Sequence, residues 1–394
     1  MHEVFTGYYT SSYENEYTLS GATTEEIISE ELGVDEAACA DIFELLCDKH
    51  NELDYETYSE FYVYVKDAFE VTEFDHTWNK IKSSLETESR YFNSNLRTFL
   101  DRIFSGVERA YISSGATVRI IDENSVLYRA RAFDDYNKIK AELVHPERNF
   151  GPPPSAKARA GRMNAQGVPV FYGAASQKTA IAEVRPAVGS VVIVAPFRPT
   201  RQMRILDLSA LEHIVFKEGS LFDPETRGQI EVTSFLKTLS RKLTVPVTGA
   251  RTDSEYLITQ AVSEYLSISD SLKLDGIMFH STQSAQPENK DEAKYNIVLF
   301  RHSSRVRNGS ANGVKYRVEM YETEEDYWYP SPSITSLDIQ KLNSSPSSEL
   351  YKKYLKFDLV MDTSRLEVHF VSGIEYATTS ADVVLKHDPE KSGR

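Results

Sequence analysis

The side chains best suited to chemistry lie in a tract from Gly161 to Arg185 and in a predicted strand upstream of it. The upstream strand carries Arg129, Tyr172 lies on a second predicted strand, and Glu183 lies on the helix predicted to follow. A guanidinium binds phosphate or ribose through its planar donors, and an aromatic ring stacks on a flat base. A carboxylate stabilises a sugar that becomes positively charged. Together these groups suit the binding of a dinucleotide and the cleavage of its glycosidic bond.

Several short motifs surround these residues in a fixed order. They are Leu127-Tyr128-Arg129-Ala130, Gly161-Arg162-Met163-Asn164, Gly167 with Pro169, Tyr172, Thr179-Ala180 with Glu183, Asp275-Gly276-Ile277 with Ser281, and Asn296–Phe300. In this order, over residues 126–302, they resemble the RES domain, a bacterial family of NAD-degrading toxins related in fold to ADP-ribosyltransferases and named for functional Arg, Glu and Ser residues. The sequence departs from the family pattern at Met163, where phenylalanine is common, so this position keeps the bulk but loses an aromatic face.

The resemblance implies an enzyme, an NAD glycohydrolase or ADP-ribosyltransferase, that takes NAD as its substrate and needs no separate cofactor. Nicotinamide leaves as a neutral group, so the chemical demand is to stabilise an oxocarbenium-like ribose. The family's catalytic positions fall on Arg129, Glu183 and Ser281. Glu183 would face the developing charge, Arg129 would bind pyrophosphate or ribose, and Ser281 would hydrogen-bond the ligand or Glu183 without acting as a nucleophile. The alternative for Glu183 is a surface carboxylate paired with Arg185.

Four further residues are predicted to bind the substrate. Tyr172 offers its ring to nicotinamide and its hydroxyl for a hydrogen bond. Arg131 lies two residues beyond Arg129 on the same face of the strand, so either arginine could contact the ligand while the other is held in a structural ion pair. Arg162 follows a glycine in a predicted loop that could approach phosphate, and Asn164 belongs to the same motif.

Other catalytic and metal-binding motifs are missing from the sequence. It contains no Gly-x-Gly-x-x-Gly, no P-loop, no His-Glu-x-x-His and no Gly-x-Ser-x-Gly, which argues against Rossmann, NTPase, zinc-protease and serine-hydrolase functions. Cys39, Cys47 and His50 could share one helical face, but three ligands without a fourth make a weak zinc site. We therefore interpret the cysteines as core residues and expect no bound metal.

The charge, the cysteine content and the apolar runs of the sequence indicate where the protein is found and which partners it has. Its formal net charge is -15, and residues 1–100 hold 22 Asp and Glu against 6 Lys and Arg, which leaves a net charge near +1 on the rest. Such an acidic region repels nucleic acid phosphates, so no nucleic-acid partner is expected. Two cysteines, no signal-peptide pattern and no apolar run long enough to cross a bilayer predict a cytoplasmic protein without a membrane partner.

The hydrophobic periodicity predicts an α+β protein. Helices are predicted at Thr23–Gly33, Asp35–Lys49, Tyr55–Phe69, Thr87–Arg109, Gln177–Val184, Arg227–Leu243 and Asp253–Ser267. Strands are predicted at Val118–Ile121, Val126–Phe133, Val170–Ala174, Ser190–Pro196, Met203–Leu208, Gly276–His280, Asn296–His302, Tyr316–Tyr321 and Leu366–Val371, with a Ser/Pro-rich connector at Pro330–Pro346 and a frayed tail at Leu385–Arg394. We expect a mostly helical N-terminal domain, an ADP-ribosyltransferase-like mixed β-sheet domain and a C-terminal β extension.

The corresponding domain bounds are 1–115, 116–310 and 311–394. Through Trp78 and the Ser89-Arg90-Tyr91-Phe92 turn, the first domain resembles the HEPN-like segments that precede some RES domains. It lacks the arginine followed by a nearby histidine that HEPN nucleases use. A regulatory role, as a docking surface or a lid, is therefore favoured over RNA cleavage.

Three functions remain open at the level of the sequence. The first is a RES-type toxin or defence effector that depletes NAD or transfers ADP-ribose, with water, phosphate or a protein side chain as the acceptor. The second is a non-catalytic NAD-sensing interaction module, and the third is RNA cleavage by the first domain. For the toxin, the resemblance implies a small protein antitoxin and, for transfer, a protein target as partners; an oligomer is equally compatible with the sequence.

Overall fold

The computed structural model describes residues 5–9, 23–32, 34–49, 62–66, 73–87, 93–110, 112, 115–214, 224–244, 252–281, 283, 294–307, 315–324, 327–337 and 357–375. Its helices are α1 Thr24–Leu32, α2 Glu36–Lys49, α3 Glu73–Thr87, α4 Ser94–Phe104, α5 Tyr136–Leu143, α6 Pro146–Phe150, α7 Gln177–Glu183, α8 Pro224–Thr244 and α9 Thr252–Ile268. Its strands are β1 Phe5–Tyr9, β2 Tyr62–Lys66, β3 Val118–Ile121, β4 Leu127–Phe133, β5 Phe171–Ala174, β6 Val191–Pro199, β7 Met203–Asp207, β8 Gly276–His280, β9 Tyr295–Leu299, β10 Tyr316–Glu324, β11 Tyr327–Ser336, β12 Leu359–Met361 and β13 Glu367–Phe370. The predicted α+β class is confirmed, with helices in the N-terminal region followed by mixed sheet.

The described residues fall into two compact units. One takes residues from 1–120, 159–168 and 204–279, and the other from 121–158, 169–203 and 280–394. Each unit is therefore discontinuous in sequence. The division into three consecutive domains stays a prediction.

The first unit is mainly helical and is centred on aromatic side chains. Phe74 and Trp78 of α3, Phe99 of α4 and Phe235 of α8 are all buried. The ring centroids of Phe99 and Phe235 are 5.4 Å apart in an edge-to-face contact. Apolar residues at helical spacing bury one stripe of α4, and packing of such stripes provides most of the stability of short helices. In the same unit β7 pairs with β8 in parallel, and β3 lies beside β7.

The second unit is built on strands in the order β12-β6-β4-β5-β9, with β13 also paired with β6. The pairs of this sheet are antiparallel. Helix α7 covers one face, where it packs on Ala130, Ala174, Val192 and Val194. On the other face, Phe171 and Phe197 meet edge to face with centroids 4.9 Å apart. Because both faces are covered, β6 is a nearly continuous apolar run rather than an alternating one.

The C-terminal residues contribute strands in two ways. β12 and β13 extend the sheet by pairing with β6, whereas β10 and β11 form a separate antiparallel hairpin. The hairpin is attached through Tyr316, whose N–H donates to the carbonyl of Val144 at 3.0 Å. Its hydroxyl donates to the buried carboxyl of Glu147 on α6 at 2.9 Å. A buried polar pair therefore joins the hairpin to the sheet unit.

Local signals in the sequence predicted most of the described elements correctly. At the start of α1, the N–H of Thr23 donates to Glu26 Oε2 at 2.7 Å and the N–H of Glu26 donates to Thr23 Oγ1 at 3.2 Å. This reciprocal pair is the predicted capping box. The predicted strands of both units and the helices α7, α8 and α9 are present within one to three residues of their predicted ends.

Three predicted elements are wrong. The helix predicted at Tyr55–Phe69 contains instead the strand β2, because Tyr62–Lys66 alternates aromatic and β-branched residues and pairs with β1. The helix predicted at Thr87–Arg109 is shorter than predicted: α4 spans Ser94–Phe104, and Asn93 caps its start by accepting from the N–H of Leu96 at 2.9 Å. Part of the connector predicted at Pro330–Pro346 is the strand β11, in which Pro330 lies at a bulge.

Several predictions fall outside the described residues. They concern the stop at Gly33, the side chain of Cys47, His50, the turn at 89–92 and the tail at 385–394. Cys39 is buried, and its Sγ donates to the carbonyl of Glu25 at 3.1 Å. None of the helices in the described part of the chain combines the length and the apolar content that a membrane span requires.

The buried pair between Glu147 and Tyr316 should make stability depend on pH. Burial raises the pKa of the Glu147 carboxyl, and hydrogen bonds from the backbone and from Tyr316, together with the nearby His145, offset only part of this rise. A raised pKa means that the folded state holds the proton more strongly, so this group's contribution is lost as the pH rises through the folded pKa. The melting temperature of Glu147→Gln relative to the parent should therefore increase with pH, measured by differential scanning fluorimetry. A difference that stays constant or falls as the pH rises would contradict the assignment.

Candidate active site

Glu183 lies at the centre of a small polar cluster in the sheet unit. Ser281 Oγ donates to Glu183 Oε1 at 2.5 Å, and Asn296 Nδ2 donates to the same oxygen at 2.7 Å. Both donors are buried, while Glu183 itself is exposed. The second carboxylate oxygen has no hydrogen-bond partner among the described residues. One oxygen is therefore fixed by the protein and the other is open to a ligand.

Helix α7 ends at the glutamate for reasons that are visible in its sequence. Ser176 caps its start by accepting from the N–H of Thr179 at 3.2 Å. At its end, Arg185 adopts the left-handed conformation, with φ of 46°, and its N–H donates to the carbonyl of Ala182 at 3.1 Å. Such a residue terminates a helix, although a non-glycine side chain makes the conformation costly. Glu183 is therefore the last helical residue.

The two donors are held by backbone pairing. The N–H of Ser281 donates to the carbonyl of Lys294 at 2.8 Å, and its hydroxyl oxygen accepts from the N–H of Gln283 at 3.2 Å. Because one lone pair is already occupied, the hydroxyl proton is directed to Glu183. Asn296 pairs with Ala174 across β5 and β9. The cluster is thus built on rigid strands rather than on side-chain packing alone.

Tyr172 shares a face of the sheet with this cluster. It lies two residues before Ala174 on β5, and residues two apart on a strand face the same way. Ala174 packs against α7 and is the cross-strand partner of Asn296. Tyr172, Glu183 and Asn296 therefore lie on the α7 face, and Tyr172 is half-buried there. Gly173, between them, faces the other way, where a Cβ would come within 2.7 Å of the Phe171 ring.

Arg129 lies on the opposite face. Its neighbours Tyr128 and Ala130 pack with α7, whereas the guanidinium carbon of Arg129 lies 5.6 Å from the centre of the Phe171 ring. The alternation of a strand requires this separation. The sheet therefore does not bring Arg129 together with Glu183, contrary to the expectation that they share one site. Its catalytic role stays a prediction without geometric support.

The two arginines of β4 differ in their surroundings. Arg131 Nη1 lies 3.4 Å from Glu142 Oε2, so Arg131 is the residue held in an ion pair. Nη1 of Arg129 is buried and has no hydrogen-bond partner among the described residues. Burial, and secondarily the charge of Arg131, lowers the pKa of Arg129 to about 10, so it stays charged at neutral pH. Arg129 is thus a partly buried cation with one desolvated, unpaired nitrogen and no carboxylate partner among the described residues.

Arg162 and Asn164 belong to the helical unit. Arg162 Nη1 donates to the carbonyl of Thr244 at 2.5 Å, and its own carbonyl accepts from Thr259 Oγ1 at 2.7 Å. The amide of Asn164 is buried and donates to the carbonyls of Arg159 and Val168 at 2.9 and 3.0 Å. Asn164 thus shapes this loop, and its predicted contact with substrate stays a prediction.

The loop itself is closed by a turn and anchored by its methionine. Gly167 has φ of 84°, a conformation that glycine adopts without strain, and the N–H of Val168 donates to the carbonyl of Ala165. Met163, where the family commonly has phenylalanine, is buried at 2% exposure. The substitution therefore affects core packing in this loop.

Asn296, which contacts Glu183, is not among the site residues predicted from the sequence. It belongs to the last matching motif, but nothing in the local sequence indicates that it contacts Glu183, 113 residues away. The contact arises because β5 pairs with β9, so the order of the strands was the missing information.

This arrangement can bind and stabilise positive charge. Among the described residues, no group of three or more His, Cys, Asp or Glu side chains is placed to hold a metal ion. His280 is exposed and stacks on Tyr295, with ring centroids 4.6 Å apart. The group available for chemistry is therefore the Glu183 carboxylate, with one oxygen fixed by two hydrogen-bond donors.

Comparison with known proteins agrees with the motifs. Residues 126–318 match the family model of the RES domain. Every predicted site residue lies within this match, and the resemblance seen in the sequence is confirmed over it. Searches of curated proteins and of solved structures gave no match.

The arginines of β4 provide a test of this geometry. Each guanidinium lies 5.6 Å from a phenylalanine ring, so their replacement by methionine differs chiefly in the carboxylate partner that is lost. Arg131→Met should lower the stability by about 0.5 kcal/mol, the usual value for a partly exposed pair. Arg129→Met should leave the melting temperature unchanged or raise it, because it removes a cation whose Nη1 is desolvated and unpaired. A larger loss in Arg129→Met than in Arg131→Met would contradict this assignment.

Proposed function

We propose that the RES domain at residues 126–318 makes this chain an NAD-consuming enzyme that cleaves the bond between nicotinamide and ribose. The observation that carries the proposal is the carboxylate of Glu183, fixed through one oxygen by Ser281 and Asn296. A carboxylate at a fixed position is what an oxocarbenium-like transition state requires. The RES match independently associates the domain with NAD-related toxins.

In the proposed reaction, the carbon–nitrogen bond at the anomeric carbon breaks and its electron pair leaves with neutral nicotinamide. The ribose carbon becomes positively charged, and the open oxygen of Glu183 faces that charge or accepts the ribose hydroxyls. A nucleophile then adds to the carbon and loses its proton. Water as nucleophile gives ADP-ribose, while phosphate or a protein side chain gives a transferred product.

Tyr172 and Ser281 have supporting roles in this proposal. Tyr172 lies on the same face of the sheet as Glu183, where its ring would stack on nicotinamide. The hydroxyl of Ser281 donates a hydrogen bond to Glu183 and accepts one from the N–H of Gln283. A hydroxyl held in this way positions the carboxylate and is not a nucleophile.

As a toxin or defence effector, such an enzyme would deplete NAD or modify a protein target, and a protein antitoxin would be needed to restrain it. Mass spectrometry of the products distinguishes water, phosphate and protein as acceptors. Tight binding of NAD without turnover would instead indicate an NAD-sensing module.

Glu183→Gln should slow the release of nicotinamide from NAD by about 100- to 1,000-fold, the usual effect of losing one major electrostatic group. The amide keeps the shape of the side chain but has no charge to stabilise the ribose. Release is measured by chromatography with purified full-length protein. Glu367→Gln is the matched control, because this carboxylate also accepts from a side-chain amide, that of Gln177 at the other end of α7. Equal rates for Glu183→Gln and the parent would overturn the mechanism.

A further inference from the structure

Asn296 has an environment that is unusual for an amide in a strand. It is 6% exposed, it belongs to the polar cluster around Glu183, and its Nδ2 is 2.7 Å from Glu183 Oε1. An ionised carboxylate only accepts hydrogen bonds, so the amide must present its nitrogen rather than its oxygen. The orientation of the Asn296 side chain is thereby determined.

The two donors act on the same oxygen. Ser281 and Asn296 both donate to Oε1, and Oε2 has no hydrogen-bond partner among the described residues. Two donors from different segments hold the carboxylate in one rotation about its Cγ–Cδ bond. A single donor would leave that rotation free, because Ser281 alone allows the carboxylate to pivot about one hydrogen bond.

We propose that Asn296 is a positioning residue, which together with Ser281 fixes Glu183 Oε1 and so directs Oε2 at the substrate ribose. This inference rests on the proposed function. It assigns to the strand β9 a part in catalysis that the family's named Arg, Glu and Ser do not include. Asn296 acts through Glu183 and does not contact the reacting atoms.

The first test is Asn296→Ala, measured by nicotinamide release from NAD. We expect kcat to fall by about 10- to 100-fold, the value of one hydrogen bond to a charged group. KM should change by less than about threefold, since the residue does not touch NAD and interactions made only in the transition state affect kcat. Asn149→Ala is the matched control, because its Nδ2 also donates one hydrogen bond, to the carbonyl of Glu142 at 2.9 Å.

The second test, Asn296→Asp, separates positioning from simple folding and from added charge. A protonated aspartic acid can donate to Glu183 Oε1 as the amide does, whereas two ionised carboxylates at this distance repel each other. The ratio of the variant's kcat to the parent's should therefore be highest at low pH and fall as the pH rises. This profile does not depend on the absolute yield of folded protein.

Each outcome decides the inference. A ratio that rises with pH would mean that added negative charge helps, and a flat ratio would mean a structural role; either overturns the proposal. An unchanged kcat in Asn296→Ala, with the parent active, also overturns it. If the parent releases no nicotinamide, the proposed function itself fails.

Discussion

The site depends on two hydrogen bonds to one carboxylate oxygen. Ser281 and Asn296 lie 98 and 113 residues from Glu183, and the sheet brings both within hydrogen-bond distance of Oε1. Because hydrogen bonds to a charged acceptor are stronger than those between neutral groups, the pair holds an otherwise exposed side chain in one orientation. The strands β5 and β9 and the helix α7 are what place the three residues. The proposed chemistry depends on that fixed oxygen, and the proposed substrate on the RES match.

The alternation of β-strands limits which other residues can join the site. Tyr172 and Asn296 lie on the face that α7 covers, while Arg129 packs on Phe171 on the other face. Spacing of two along β4 places Arg129 and Arg131 on one face but does not determine which of them has an acidic partner. The acidic partner is Glu142 on α5, and it pairs with Arg131.

Local chemistry explains what the sequence could predict. The capping box of Thr23 and Glu26 and the apolar run of β6 are encoded within a few residues, so they were predictable. The start of α4 depends on Asn93, which caps this helix and also donates to Ser84 Oγ of α3 at 2.8 Å. The strand β2 depends on pairing with β1 more than 50 residues earlier. Contacts of this kind come from the order of the strands and helices, which periodicity does not reveal. The same holds for Asn296.

We propose that the open oxygen of Glu183 faces the ribose of bound NAD on the α7 side of the sheet. A crystal structure of the Glu183→Gln variant with intact NAD bound would test this placement. We expect the nicotinamide ribose within hydrogen-bond distance of the side-chain amide of residue 183, and Ser281 and Asn296 still in contact with that amide. NAD bound on the Arg129 face of the sheet, away from residue 183, would show that Glu183 does not face the ribose.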